Sequence, residues 1–170
     1  PAPARDAAVW LNDVQNDDWG FPFYAGGDSD ANSTGLSVVA IQTVQPQDRS
    51  GRVPNAQAWI GSLKLKCSSG GGLAYQKGGP ANGLASSQAY MGLSGALPVD
   101  PVDTLSPNPN CKKRNAVSNV GSFLASKIIK DGAVQSDFGS GADYSSTGWA
   151  VLGIVANGVG TVSYTHLTLP

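Results

Sequence analysis

Apolar residues recur with the i, i+3, i+4, i+7 spacing of an α-helix in six segments of the chain. The six runs are Ala7/Trp10/Leu11/Val14, Leu36/Val39/Ala40/Thr43, Ala56/Trp59/Ile60/Leu63, Ala89/Leu93/Ala96/Leu97, Val117/Val120/Leu124 and Gly148/Val151/Leu152/Val155. A glycine-containing turn and a short polar loop separate the two runs of each successive pair. The pattern therefore predicts six amphipathic helices joined as three helical hairpins.

Two landmarks recur along these predicted hairpins, a turn glycine and a hydroxyl residue that opens the second helix. They are Gly20, Gly72 and Gly132, and Thr34, Ser87 and Thr147. The glycines lie 52 and 60 residues apart, and the hydroxyl residues 53 and 60. Because both landmarks shift together, we interpret the chain as three repeats, each of which must stack on its neighbours to bury enough surface.

The repeats set the predicted domain organisation. A repeat domain is expected over 1–161, with hairpins at about 5–46, 53–98 and 113–160. Residues 99–111 are rich in proline, which forbids a continued helix, and they are predicted to form a loop insertion. Residues 162–170 depart from the Gly/Ala/Asp-rich style of the rest and resemble a translated sequencing adapter, so we predict a non-native tail; the alternative is an ordinary C-terminal strand.

Composition excludes several classes of function. The chain has 170 residues, 11 basic and 12 acidic side chains and a net charge of −1, so it lacks the basic excess of a nucleic-acid-binding module. No apolar run approaches the length of a membrane-spanning helix, and no membrane insertion is expected. The single histidine, His166, lies in the predicted non-native tail, which argues against catalytic triads and most zinc sites.

Four segments resemble the repeat of the α/α-toroid superfamily, which is the prenyltransferase and squalene-cyclase repeat shared by cobalamin carriers. They are 15–21, 29–36, 74–81 and 143–148. The resemblance implies an all-α fold, an α/α toroid of helical hairpins whose inner helices line a cavity. Three hairpins would make a partial ring, with the loops at 24–32, 78–84 and 136–144 at one mouth of the cavity.

Candidate ligand-binding residues lie in or beside these loops. They are Tyr24, Asp28, Asp30, Asn32, Tyr75, Asn82, Asp143 and Tyr144. Short polar side chains at the start of a helix also cap its unpaired N–H groups, so helix capping is the alternative role for the acids and amides. Asp28 and Asp30 are expected to lie in a glycine-rich, solvated loop. Trp10, Trp59, Phe123 and Trp149 are expected to lie in the core.

The sequence contains few residues that could catalyse the reactions of this superfamily. Prenyltransferases of this superfamily hold zinc with Asp, Cys and His, and squalene-type cyclases use an Asp-x-Asp-Asp acid. The nearest run here, residues 28–32, lacks the third acid. We therefore predict no catalytic residues, no metal and no cofactor in this segment. The alternative is a fragment of a terpene cyclase or prenyltransferase-type enzyme whose catalytic residues lie outside it.

Cys67 and Cys111 lie in polar loops on either side of the second hairpin. Free cysteine prefers apolar surroundings, so a disulfide between them is predicted, with two unrelated thiols as the alternative. A disulfide implies a secreted or cell-surface protein. Together these observations predict a secreted repeat module that acts as a non-enzymatic binding or scaffold unit, with a small molecule or a surface polymer as its ligand.

Overall fold

The computed structural model describes residues 2–45, 50–94, 116–127, 133–135 and 141–156. Within these ranges the secondary structure is six α-helices, one short 3-10 helix and isolated bridges, with no extended strand. The helices are α1 (Ala2–Asp13), α2 (Ala31–Val44), α3 (Arg52–Ser62), α4 (Gly83–Ser94), α5 (Ala116–Ser126) and α6 (Tyr144–Ala156), and the 3-10 helix is Cys67–Ser69. The predicted all-α class is confirmed.

The helices pack as three successive pairs, α1–α2, α3–α4 and α5–α6. The second helices of the pairs make the most extensive contacts, with α4 lying between α2 and α6. The first helices lie against this row, and α3 and α5 each contact the second helices on both sides. Glycine permits the closest approach in the row, because a Cβ on Gly35 of α2 would lie 2.4 Å from the Cα of Ala89 in α4.

Two apolar clusters form the described core. The smaller cluster holds the first pair to α3 through Phe21, Val38, Ile41, Val53 and Ala56. The larger cluster joins all three pairs, and its buried members are Ala31, Ile60, Leu63, Leu73, Ala85, Ala89, Tyr90, Val120, Phe123 and Leu124. Since one cluster contains side chains from every pair, the pairs depend on one another for burial.

Each helix pair encloses the same loop. An isolated antiparallel bridge closes it between residues seven positions apart, at Pro22 and Ser29, Ala74 and Ala81, and Gln135 and Ala142. A hydroxyl on the second helix then accepts a hydrogen bond from the backbone N–H thirteen residues earlier. The three bonds are Phe21 N to Thr34 Oγ1, Leu73 N to Ser86 Oγ and Val134 N to Thr147 Oγ1, each 2.9 Å long.

These bonds correct the register of two predicted landmarks. The hydroxyl of the second pair equivalent to Thr34 belongs to Ser86, whereas the predicted Ser87 donates to the carbonyl of Gly83. The third turn also differs, because Ala133 precedes Val134 as Gly72 precedes Leu73. Ala133 is therefore the residue equivalent to Gly20 and Gly72, and the predicted landmark Gly132 is one position too early.

The predicted core positions divide into covered and exposed ones. Phe123 is buried and Trp59 and Trp149 are half-buried, but Trp10 is 61% exposed, so its predicted place in the core is wrong. The helical period identified an apolar face of α1 correctly, yet nothing in the described ranges covers that part of it. The predicted loop insertion at 99–111 and the predicted tail at 162–170 lie outside the described residues.

Candidate functional site

Three of the candidate ligand-binding residues occupy the position just before a second helix. Asp30, Asn82 and Asp143 each accept, through a side-chain oxygen, the backbone N–H three residues later. The distances are 2.8 Å to Ser33 N, 2.7 Å to Ala85 N and 2.5 Å to Ser146 N. These side chains therefore cap α2, α4 and α6, which was the alternative role considered for them.

Asp30 is held more tightly than a solvated loop residue. It is 1% exposed, and its second carboxylate oxygen accepts the Ser33 hydroxyl at 2.8 Å. The expectation of a solvated loop around Asp30 is therefore wrong. Burial raises the pKa of the Tyr75 hydroxyl, and the negative charge of Asp30 together with a hydrogen bond to it raises that pKa further. Asp30 and Tyr75 thus join the first pair to the second.

Asn32 also lies between helix pairs. Its side-chain nitrogen donates to Gln88 Oε1 of α4 at 2.7 Å. Tyr24 and Tyr144 are different, since both are strongly exposed and Tyr144, at the start of α6, is 96% exposed. The eight candidate residues therefore do not converge on one site, and the ligand-binding role predicted for them stays a prediction.

Asp28, the remaining candidate, lines a polar groove of about 690 Å³ between the first turn and the second pair. The groove also contains Asn16, Asp17, Asp18, Gly27, Ser29, Trp59, Gln76 and Lys77. Three carboxylates, those of Asp17, Asp18 and Asp28, line the groove together with the Lys77 ammonium group and the Gln76 amide. Such a surface offers both hydrogen-bond donors and acceptors to a hydroxyl-bearing ligand.

Asp18 organises this polar groove. One carboxylate oxygen accepts Ser29 Oγ at 2.7 Å and Gly20 N at 3.0 Å, and the other accepts the indole N–H of Trp59 at 2.9 Å. Burial raises the pKa of Asp18, but the hydrogen bonds from Ser29, Gly20 and Trp59 together outweigh it and leave the pKa below its ordinary value of 3.8. The carboxylate therefore fixes the Trp59 ring over the first turn.

Asp18 and Trp59 were not among the sequence-based candidates. Asp18 belongs to an acidic dipeptide beside the turn, which is typical of a solvated corner, and Trp59 matches the core face of a helix. The two residues are 41 positions apart in the chain, and only their hydrogen bond in the folded structure identifies them as partners. The one sequence feature that they share is their place beside the turn-and-helix pattern that recurs along the chain.

A second, apolar groove of about 240 Å³ lies on the first pair. Trp10, Leu11, Val14, Phe21, Pro22, Phe23, Tyr24, Ala25, Ser33, Leu36 and Ser37 line it. Tyr24 is the one candidate residue that contributes to this surface. Several of the lining side chains are exposed aromatics, so the groove is an apolar patch of the kind that marks an interaction site.

The described residues include one of the two cysteines of the predicted disulfide, Cys67. Cys67 begins the 3-10 helix, and no cysteine in the described ranges is a free thiol. Its sulfur also lies 3.8 Å from the side-chain nitrogen of Asn119 in α5. Cys111 lies outside the described residues, so the pairing of Cys67 with Cys111 stays a prediction.

The described ranges contain no group of three or more His, Cys, Asp or Glu side chains arranged to hold a metal ion. In the same ranges no helix is both long and apolar enough to cross a membrane. Comparison with protein-family models, curated proteins and solved structures finds no match to the chain. The resemblance to the α/α-toroid repeat therefore rests on the four sequence segments that carry it.

Proposed function

We propose that the chain is a helical repeat module of the α/α-toroid type, present as a partial ring of three helix pairs, and that it acts as a non-enzymatic binding or scaffold unit. The observation that supports this proposal best is the identical closure of the three pairs. In each pair a capping acid or amide and a hydroxyl on the second helix satisfy the same backbone groups. Such repetition is typical of repeat proteins that present a continuous surface.

The condition of the acids favours binding over catalysis. Both oxygens of Asp30 are engaged by Ser33, and both oxygens of Asp18 accept hydrogen bonds from its neighbours. A general acid or base must be able to exchange a proton with its substrate, and these carboxylates are committed to structure. The predicted secreted or cell-surface location suits a module whose ligand is a surface polymer.

The polar groove is the proposed ligand site, because Asp17, Asp28, Gln76 and Lys77 line it without being used as helix caps. A polymer rich in hydroxyl groups could donate to the carboxylates and accept from Lys77. Part of the Trp59 ring remains exposed in the groove and offers an apolar surface to a sugar ring.

A titration with soluble oligosaccharides, chitohexaose and cellohexaose, tests the binding role. NMR of the ¹⁵N-labelled protein follows the indole N–H of Trp59, whose bond to Asp18 makes it a sensor of the groove. We expect a saturable shift of this signal, weakened in Asp28→Asn and Lys77→Ala but retained in the control Val151→Ala, an exposed position on α6 that does not line the groove. No shift with either sugar at about 1 mM, where weak binding already registers, would count against a saccharide ligand.

A further inference from the structure

Four of the positions through which the second helix pair contacts the first form what we call its aromatic face: Trp59, Tyr75, Gln88 and Gly92. The Trp59 ring covers Gly20, where an added Cβ would lie 2.9 Å from the ring, and the Tyr75 carbonyl accepts Ala31 N at 2.9 Å. Gln88 accepts the side chain of Asn32, and Gly92 lies against Gly35.

The third pair uses the same device on the second. Phe123 of α5 is equivalent to Trp59 of α3. Trp59 lies four residues before Leu63 and Phe123 four residues before Lys127, and the carbonyls of Leu63 and Lys127 each accept a hydrogen bond from a loop N–H. Phe123 covers Gly72, where an added Cβ would lie 2.5 Å from the ring. Both junctions between pairs thus place an aromatic ring of the later pair over a turn glycine of the earlier pair.

The first pair carries its own aromatic face, which no side chain in the described part of the chain covers. Asn16 N donates to the Gly20 carbonyl in the same way that Leu65 N donates to the Gly72 carbonyl. Trp10 lies six residues before Asn16 and Trp59 lies six residues before Leu65, so the two tryptophans are equivalent. The turn register places Phe23, Leu36 and Ala40 at the positions of Tyr75, Gln88 and Gly92. Trp10 is 61% exposed, Phe23 is 81% exposed and Leu36 is 36% exposed.

We propose that this aromatic face, Trp10, Phe23, Leu36 and Ala40, binds another helix pair of the same kind, one that presents a glycine in its turn. The two junctions inside the chain define the partner's chemistry. Its turn glycine lies under Trp10, and the first N–H of its second helix donates to the Phe23 carbonyl. At the first junction the residue after that N–H, Asn32, bonds Gln88. The first pair has Leu36 at the position of Gln88, so the corresponding residue of the partner is apolar. The second pair has Leu84 at that position, where the first has Asn32.

A second copy of this chain does not meet these requirements. Gly20 and Gly72 are already covered by Trp59 and Phe123 within the chain. The third pair has Ala133 at the turn position, so its outward side carries a methyl group where the ring must sit. The occupant is therefore a distinct glycine-turn helix pair, and this inference deepens the scaffold part of the proposed function while being independent of any ligand in the polar groove.

A tandem extension of the chain tests the proposal. Residue 52 of α3 is equivalent to residue 3 of α1, so a copy of residues 3–51 inserted directly before Pro3 adds one pair in register. The copy carries Asn32→Leu so that it meets Leu36 with an apolar side chain. Fluorine NMR with 5-fluorotryptophan reports the solvent exposure of the inner Trp10, and hydrogen exchange reports protection of the added second helix.

The extended chain contains Trp10 twice, which provides a matched control. We expect the inner Trp10 to lose its solvent isotope shift and the added helix to exchange at least about tenfold more slowly than an undocked helix. Trp10→Glu at the inner position should abolish both effects, and Trp10→Glu at the outer position should abolish neither.

Three outcomes would overturn the inference. The first is an exposed inner Trp10 together with an unprotected copy. The second is equal behaviour of the inner and outer Trp10→Glu variants. The third is concentration-dependent self-association of the unextended chain that buries Trp10, because this would make a second copy the occupant. The oligosaccharide titration reads the other groove, so a failure of one proposal leaves the other standing.

Discussion

The junction between the first and second pairs and the junction between the second and third solve one problem with different chemistry. In both, the N–H of the turn glycine needs an acceptor beneath an aromatic ring. At the first junction Gly20 N donates to Asp18 of its own pair, and the same carboxylate holds Trp59. At the second junction Gly72 N donates to Asn119 Oδ1 of the next pair at 2.9 Å.

The difference separates a charged junction from a neutral one. Asn119 also donates to the Leu65 carbonyl at 3.2 Å, so one buried amide joins both sides of the turn without any charge. Asp18 is exposed, and the hydrogen bonds it accepts favour its ionised form. We infer that acid weakens the first junction before the second, although the two share one geometry.

The largest effect is expected at the second junction from Gly72→Ala. Gly72 has φ +84°, and an added Cβ would meet the Phe123 ring at 2.5 Å, so the variant combines backbone strain with overpacking. We expect a loss of about 3 kcal/mol in the free energy of unfolding. Urea unfolding at neutral pH measures it.

Gly70→Ala is the matched control, because Gly70 has φ +86° with open space around the position of a Cβ. It should lose only the backbone part, about 1 kcal/mol. Equal losses in the two variants would contradict a close contact between Phe123 and the turn.

Asn119→Ala should produce the next largest effect. It removes the acceptor of Gly72 N and the donor to the Leu65 carbonyl, and buried groups left without partners cost about 1–3 kcal/mol. Asn55 occupies the equivalent position in α3, and Asn55→Ala should cost less than about 0.5 kcal/mol. Urea unfolding compares the two variants, and a larger loss in Asn55→Ala would show that the neutral junction does not depend on the amide.

Asp18→Asn should have the smallest effect at neutral pH and the clearest dependence on acid. The folded pKa of Asp18 is lowered, so its stabilising contribution is complete above the ordinary value of 3.8 and is lost as the pH falls through the lower folded pKa. The Tm of the native chain should therefore fall below about pH 4 more steeply than that of Asp18→Asn.

The Asn119→Ala variant keeps the charged junction and should keep the native pH profile over the same range. Thermal melts of the three proteins between about pH 2 and 7 make the comparison. Parallel profiles for Asp18→Asn and the native chain would place the acid sensitivity elsewhere.

Helical period was sufficient to predict six helices from the sequence, because an apolar residue every three or four positions places one continuous apolar stripe on a helix and on no other regular element. The register within the turns was harder to predict. Gly71 and Gly72, and likewise Ser86 and Ser87, are adjacent residues of one type, and spacing alone cannot choose between neighbours. The hydrogen bond from Leu73 N to Ser86 Oγ makes that choice in three dimensions.

Backbone conformation adds a second signal that composition hides. Trp19 has φ +72°, and Gly71, at the equivalent turn position, has φ +75°. Glycine adopts this left-handed conformation readily, whereas tryptophan does so at a cost, so residue type alone does not align the two positions. The turn of the first pair therefore shares this backbone conformation with that of the second despite its different residues.

Burial could not be predicted where it depends on neighbouring pairs. Trp10 and Trp59 have the same local pattern, yet one is exposed and the other is held by Asp18 from another pair. The same limit applies to Asp30, for which a glycine-rich loop predicts solvation. Tyr75 and Gln88, more than 40 residues away, supply the surfaces that enclose this region.

Length variation between the second and third pairs is confined to the entrance of the turn. The carbonyl at the end of the first helix bonds a loop N–H eleven residues later in the second pair, from Leu63 to Ala74, and eight residues later in the third, from Lys127 to Gln135. The second pair thus has three more residues here, as many as its 3-10 helix Cys67–Ser69 contains. The span from the turn N–H to the hydroxyl is thirteen residues in all three pairs. The entrance is therefore the part of a pair where a peptide epitope or tether can be grafted with the span from turn to hydroxyl left unchanged, provided that Leu65 and Cys67, which contact Asn119 of the next pair, are kept.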